Sequence, residues 1–345
     1  MLIIQFLVSA FFIVMAGYFL VGTSERIAEN TGLGQVMIGA ILLSFATSLP
    51  ELVTSAASVR LAAVDLGLGN ILGSNMFNLS ILALLDVVEG PGPLLLKLTL
   101  SHLLTGFIMI LMASAAGIAL TLYSFTTITP IQFRISPESV VLFALFLLGW
   151  KLIHSYEKEA EKEAEERESE QETNSTVVEI PSSAGKDVSG MSTALQFVIF
   201  GTAAIVIMLA GSSLAAAADE IAVVTGMGHS FLGTALLAAI TSLPELSTTI
   251  TAARRGSFDL AAGNILGSNL FNLILLVPVD LFQTGSLVAA ASTINFLPLF
   301  SVIMMTVLLL TGLFYRSEHS FLHIGIAPAL ILFVYVVTLW LLLAL

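Results

Sequence analysis

Cysteine is absent from the 345 residues, which excludes disulfides and thiolate metal centres. Charge is scarce as well: Asp, Glu, Lys and Arg make up 10% of the chain, against 57% hydrophobic residues and a mean hydropathy of +1.00. A soluble domain of this length could not cover its surface with so few polar groups, so the chain reads as a polytopic membrane protein. Bases are fewer than acids, 12 against 24, and nothing in their placement suggests nucleic-acid binding. The net charge of −12 is also largely local, because the segment Glu157–Asp187 holds eleven acids and four bases. No basic stretch precedes the first apolar run at Leu2, and no clear small-residue cleavage site follows it. That run reads as a retained first helix rather than a signal peptide.

Apolar runs of spanning length, about 20 residues each, fall at 2–23, 33–58, 66–88, 97–122, 136–154, 193–217, 230–252, 260–283, 291–314 and 322–344. The expected fold is therefore an all-α polytopic membrane protein with ten transmembrane helices. Five of them (1–154) precede an acidic loop (155–191) and five (192–345) follow it. The loop begins as EKEAEKEAEERESEQETNST, with Glu and Lys three and four apart as in a solvated helix. It then turns Ser/Thr/Pro/Gly-rich and reads as a tether. Its acids lack EF-hand spacing, and Asn174-Ser175-Thr176 fits a glycosylation sequon that would mean nothing on a cytoplasmic loop.

The two halves repeat each other. TSLPE occurs at Thr47–Glu51 and Thr241–Glu245, and GNILGSN at Gly69–Asn75 and Gly263–Asn269, at a constant offset of 194 (245 − 51). About half the positions of 39–86 are identical in 233–280. Five helices is an odd number, so the second half enters the membrane from the opposite side and the repeat is inverted. With the N-terminus outside, the inner face collects most Lys and Arg and the outer face only Arg60 and Arg134. Both termini are therefore expected outside and the acidic loop in the cytoplasm.

The chemistry sits in the repeated motifs. Proline has no N–H and its ring clashes with the carbonyl four residues back. Pro50 thus frees the Ala46 carbonyl and loosens that of Thr47, and Pro244 does the same at Ile240 and Thr241. In a bilayer such groups survive only where they line a cavity or lie buried in protein. Thr47, Ser48, Thr241 and Ser242 add hydroxyls beside each break, and Glu51 and Glu245 add carboxylates. On the next helix Asn70, Ser74 and Asn78 form one polar stripe, repeated by Asn264, Ser268 and Asn272. Gly69, Gly73, Gly263 and Gly267 provide small-xxx-small faces for close approach. Two carboxylates among hydroxyl, amide and carbonyl oxygens suit Ca²⁺ or Na⁺ and disfavour transition metals.

Blander readings compete at each position. TSLPE could be a kinked helix with a snorkelling Glu, and GNILGSN could serve packing alone. Asp65 and Asp259 read as caps or lead-ins to the third and eighth helices. Asp86 and Asp280 read as interfacial, and Trp150 and Trp340 as interface anchors. His102, His154, His229, His319 and His323 lie outside both motifs.

TSLPE…GNILGSNMFN and TSLPE…GNILGSNLFN resemble the α-repeats of the cation/calcium antiporter superfamily, in its sodium/calcium exchanger branch. The resemblance covers all ten helices. It implies that Glu51 and Glu245 are central carboxylates shared by Ca²⁺ and Na⁺, and that Thr47 and Thr241 offer carbonyls to Ca²⁺. Ser48, Ser242, Ser74 and Ser268 would belong to flanking Na⁺ sites together with the Ser44 and Ala238 carbonyls, while Asn78 and Asn272 would lie at the middle. The first and sixth helices, with Gly17 and Gly211, would be the mobile pair. Some relatives, including potassium-dependent exchangers, carry Asp where this chain has Asn272. The present centre then holds two carboxylates, which argues against K⁺ co-transport and for electrogenic exchange.

The expected function is secondary active antiport of Ca²⁺ against Na⁺ by alternating access, with no cofactor. The expected setting is a prokaryotic plasma membrane, where the chain would act as a monomer in the lipid bilayer. A Ca²⁺/H⁺ antiporter is the main alternative, although the proton-coupled branch usually carries a Glu that GNILGSN lacks. A gated channel would need rings of like residues in an oligomer, and no nucleophile and base pair suggests a membrane enzyme.

Overall fold

A computed structural model describes residues 2–31, 35–88, 94–126, 135–174, 192–225, 231–283, 285–315, 320–321 and 324–345. Among the described residues, eight helices are long and apolar enough to cross a membrane, and two further pairs, each bent at a short break, bring the number to ten. In chain order they are α1 (Leu2–Thr31), the broken α2 (Ile38–Thr47 and Leu49–Arg60), α3 (Val64–Val88), α4 (His102–Phe125) and α5 (Pro137–Asn174). The second half supplies α6 (Thr193–Thr225), the broken α7 (Gly233–Thr241 and Leu243–Arg254), α8 (Phe258–Asp280), α9 (Phe296–Tyr315) and α10 (Ile326–Ala344). The all-α expectation holds, apart from a two-residue antiparallel ladder that pairs Ser320–Phe321 with Ile324–Gly325 ahead of α10. The helical start of the acidic loop is a direct continuation of α5 to Asn174. The rest of the loop lies outside the described residues, as do Arg134, His229, His319 and His323.

Helices α3 and α8 form the centre. Their spanning windows are 89% and 83% buried, against 22% for α5 and 28% for α10. They can be buried on every side because they are apolar all round, with a polar stripe of Asn and Ser that is satisfied by other helices. The peripheral helices instead show Phe11, Phe333 and Val336 outward, each more than 60% exposed, as a lipid-facing surface requires. Without water to drive helices together, close packing and small residues hold the bundle.

The repeat is visible in three dimensions as reciprocal contacts. A Cβ on Gly73 of α3 would fall into the backbone of Thr234, and one on Gly267 of α8 into that of Ala40. Gly39 and Gly233 mirror this, a Cβ there lying 2.7 Å from the Leu260 carbonyl and 2.6 Å from the Leu66 carbonyl. Each broken helix therefore packs on the central helix of the other repeat. The reciprocity is what a pseudo-two-fold relation between the repeats produces: α2 lies beside α8 and α7 beside α3 in matched registers.

Helices α1 and α6 lie antiparallel along one flank. Gln5 Nε2 donates to the Ser213 carbonyl at 3.1 Å near one end, and Asn30 Nδ2 donates to Gln196 Oε1 at 2.9 Å near the other. The pair rests on the second halves of the broken helices: a Cβ on Gly211 would meet the Pro50 ring at 2.6 Å, and one on Gly17 the Ser247 hydroxyl at 2.9 Å.

Two aspartates depart from expectation, and two keep their expected place with partners the sequence does not show. Asp86 and Asp280 are buried rather than interfacial, at 1% and 2% exposure. Asp86 accepts the Gly325 N–H at the start of α10, at 2.8 Å. Asp280 accepts the Ser136 N–H and Ser139 hydroxyl at the start of α5, both at 2.9 Å, and the Leu287 N–H at 2.7 Å. Orphan N–H groups of helix starts folded against the body draw these carboxylates inward. Asp65 and Asp259 do stand in the first turns of α3 and α8, yet both bond to the opposite repeat. Asp65 takes the Ser292 N–H and the Asn295 amide, and Asp259 takes the Thr99 N–H and His102 Nε2.

Candidate ion-binding site

Each broken helix has the same local build. A π-helical stretch, Ile38–Leu43 or Leu232–Leu237, widens the helix ahead of the break. Such stretches are rare and cluster at functional sites. The chain then departs from helical geometry at Ser48 (φ −85°, ψ 5°) and Ser242 (φ −86°, ψ 12°), with Pro50 and Pro244 opening the second half. The halves meet at 45° in α2 and 51° in α7. The carbonyl end of one half-helix and the N–H end of the next thus face the same point. The first favours a cation and the second stabilises the carboxylates of Glu51 and Glu245 in its opening turn.

The two breaks interlock. Ser48 donates its hydroxyl to Glu245 Oε1 at 3.2 Å, and Ser242 donates to Glu51 Oε1 at 3.0 Å. The Thr47 hydroxyl lies 3.2 Å from that of Ser268, and the Thr241 hydroxyl 3.4 Å from that of Ser74. Ser74 also reaches Glu51 Oε1 at 3.4 Å. The carbonyls of Ser44 and Ala238 accept the backbone N–H of Ser48 and Ser242, each at 3.0 Å. Their remaining lone pairs lean toward the Thr47 and Thr241 hydroxyls, at 3.2 and 3.3 Å.

All twelve expected site residues except Ala238 carry polar side chains, and every one of the eleven is buried. The structure brings Glu51, Thr47, Ser48 and Ser74 together with Glu245, Thr241, Ser242 and Ser268 through the bonds above. Asn78 and Asn272 lie on the same central helices, one turn further along. Burial without partners is concentrated here. Among the described residues, Glu51 Oε2, Glu245 Oε2, Asn78 Oδ1 and both amide atoms of Asn272 have no hydrogen-bond partner. Buried polar atoms are nearly always satisfied, so bare oxygens beside two buried carboxylates make this cluster the candidate place for a cation. The donors are hard oxygens, as Ca²⁺ and Na⁺ prefer.

Several participants were not singled out from sequence. Among the described residues neither side-chain amide atom of Asn75 has a partner, while Asn269 accepts from Asn78 at 3.0 Å and donates to the Asn75 carbonyl at 3.1 Å. Both lie inside GNILGSN, so the repeat itself held the signal. Ser55 and Thr249, fully buried, stand at the same offset of 194 and one helical turn beyond each Glu.

Broken helices in matched halves, two central helices with polar stripes and a cluster of bare carboxylate oxygens at their crossing define a secondary transporter of hard cations. The chain belongs to the sodium/calcium exchanger protein family, whose pattern matches residues 1–150 and 195–341. It is a multi-pass integral membrane protein of a family that performs cation/calcium antiport, a transporter rather than an enzyme class. It is 26% identical over 259 residues to the inner membrane protein YrbG of Escherichia coli, covering 75% of this chain and 72% of that one. To the sodium/calcium exchanger MaX1 of Methanosarcina acetivorans it is 27% identical over 280 residues, covering 77% and 78%. The solved structure of the sodium-calcium exchanger NCX_Mj, soaked with 10 mM Na⁺ and zero Ca²⁺, shares its fold, with a TM-score of 0.67, 22% identity and 98% of each chain covered.

Proposed function

We propose that this protein exports Ca²⁺ in exchange for Na⁺ by alternating access, electrogenically and without K⁺. The observation that carries the proposal is the pair of buried carboxylates, Glu51 and Glu245, each held through Oε1 by a serine of the opposite repeat with Oε2 left bare. Two carboxylates neutralise one Ca²⁺ or two Na⁺. A sodium load above two ions leaves uncompensated positive charge, which makes the cycle electrogenic. Asn272, where some relatives have Asp, leaves no third carboxylate to pair with K⁺.

In this reading Thr47 and Thr241 turn carbonyls toward Ca²⁺. Ser48, Ser242, Ser74 and Ser268 line flanking Na⁺ positions with the Ser44 and Ala238 carbonyls, and Asn78 and Asn272 occupy the middle. Competition for shared oxygens is sufficient for antiport. The α1/α6 pair slides across the two breaks and exposes the site to one side and then the other. Its lacing at both ends and its seating on Pro50 and Ser247 support a single moving unit. The halves 1–154 and 192–345 form the transport body and 155–191 is a cytoplasmic loop. Both termini lie outside the plasma membrane of a prokaryotic cell, and one chain suffices for transport.

The test is ⁴⁵Ca uptake into reconstituted liposomes under an outward Na⁺ or H⁺ gradient, with the membrane potential clamped. Uptake should follow Na⁺ and respond to voltage. Uptake driven by a proton gradient and indifferent to Na⁺ would establish Ca²⁺/H⁺ antiport instead. Glu51→Gln and Glu245→Gln should each abolish flux, and near-normal flux in either removes the site assignment.

A further inference from the structure

Two amides outside the expected ligand set tie the repeats together one layer behind the carboxylates. Asn264 on α8 accepts the Thr47 hydroxyl at 3.3 Å and donates to the hydroxyls of Thr248 at 2.8 Å and Thr249 at 3.1 Å. Thr47 ends the first half of α2. Thr248 and Thr249 stand three and four residues beyond Glu245, on the same turn of α7. Asn70 on α3 repeats the arrangement: it accepts the Thr241 hydroxyl at 3.1 Å and donates to Ser55 at 2.9 Å, four residues beyond Glu51. All seven side chains are 0% exposed.

Each amide therefore bridges the end of one short half-helix and the turn that carries the opposite carboxylate. Asparagine is suited to this because one short rigid plane accepts at one end and donates at the other. The gap it spans is the gap across which a cation must be held, between the Thr47 backbone and Glu245 on one side and the Thr241 backbone and Glu51 on the other. Calcium takes oxygens at about 2.3–2.6 Å, and selectivity among hard cations depends on cavity size and on how rigidly the ligands are kept.

We propose that Asn70 and Asn264 are positioning residues that set the width of the ion site and thereby its discrimination among divalent cations by size. The proposal rests on the assignment of Glu51 and Glu245 as ion ligands. It does not require either amide to touch the ion. The braces are buried bonds to neutral hydroxyls, so losing one loosens the site without removing a charge.

The experiment compares ⁴⁵Ca and ¹³³Ba uptake in liposomes. Ser55→Ala removes the acceptor of the Asn70 brace and leaves every expected ligand in place. It should raise the Ba²⁺-to-Ca²⁺ transport ratio about threefold or more, the scale of one lost hydrogen bond. Thr249→Val should raise it less, since Asn264 keeps Thr248, and Ser55→Thr should restore the wild-type ratio. Asn70→Ala and Asn264→Ala should exceed the effect of Ser55→Ala where they fold. An unchanged ratio in Ser55→Ala, with only the yield or the maximal rate lowered, overturns the proposal. Glu51→Gln measured alongside separates the two layers: no flux there together with an unchanged ratio in Ser55→Ala removes the brace alone, whereas normal flux there removes the site on which it rests.

Discussion

Asn78 donates its amide to Oδ1 of Asn269 at 3.0 Å, and the mirror bond from Asn272 to Asn75 is not made. The four residues are chemically identical in pairs and all fully buried, so the asymmetry lies in conformation. Asn78→Ala would leave the Asn269 oxygen without its donor, at a cost of about 1–3 kcal/mol. Asn272→Ala removes a group that already lacks partners and should cost less in the ion-free protein. Thermal unfolding in detergent with chelator present measures both. Equal losses would mean that the bond carries no stability.

The crossed packing of the repeats makes a second expectation. Gly267→Ala would drive a methyl into the Ala40 backbone, and Gly73→Ala one into that of Thr234. Neither neighbour is a flexible side chain, so each substitution should cost about 2 kcal/mol or more through overpacking or prevent folding. Gly201→Ala on α6 is the control. A Cβ there meets nothing within 4 Å, and alanine is the better helix former by about 1 kcal/mol. Yield and melting temperature of the three variants should therefore separate clearly. A similar tolerance at all three positions would contradict the close approach of α2 to α8 and of α7 to α3.

Much of this architecture could be read before any coordinates. The ten runs, the offset of 194 and the prolines placed the breaks and the carboxylates, because hydrocarbon tolerates interrupted backbone only at a purpose-built site. The π-helical stretches at Ile38 and Leu232 were not legible, since apolar periodicity carries no mark of a single widened turn. The crossing of α2 onto α8 was not legible either, because identical motifs say nothing about which copy faces which. Asp86 and Asp280 were misplaced for a related reason: a carboxylate near a helix end looks interfacial until another helix start is seen folding back onto it. The division of labour between Asn78 and Asn272 is invisible in principle, as the residues are the same.

A third expectation concerns the flank. Arg255 donates to Glu25 at 2.8 Å, lies 4.5 Å from the Tyr18 ring and would crowd a Cβ on Gly22 at 3.0 Å. Ser257 holds the other oxygen of Glu25 at 2.6 Å. This ties α1 to the α7–α8 corner, and the offset counterpart of Arg255 is Leu61, which cannot repeat the charge. Both groups are partly exposed, at 28% and 20%, so the pair is worth about 0.2–1 kcal/mol and weakens with salt. Glu25→Gln should therefore change the ratio of apparent Ca²⁺ affinities at the two faces by no more than about fivefold, and Arg255→Gln by a similar factor in the same direction. The double variant should add little to either. Full additivity in right-side-out and inside-out vesicles would show the two residues acting separately.

The buried position of Asp280 leads to the largest effect on stability away from the ion site. Its carboxylate accepts two backbone N–H groups and one hydroxyl, from Ser136, Leu287 and Ser139, and so joins the starts of α5 and of the short helix Leu287–Ala290 to the end of α8. Truncation to alanine strands two buried N–H groups at once, each costing about 1–3 kcal/mol. Asp280→Asn keeps one oxygen acceptor and should lose less. Asp86→Ala strands the Gly325 N–H at the start of α10 and should also cost more than Asp280→Asn. Guanidinium or heat unfolding of the three variants in detergent gives the order. If Asp280→Ala behaves like an ordinary surface substitution, within about 0.5 kcal/mol of wild type, the carboxylate faces the membrane interface and not the protein.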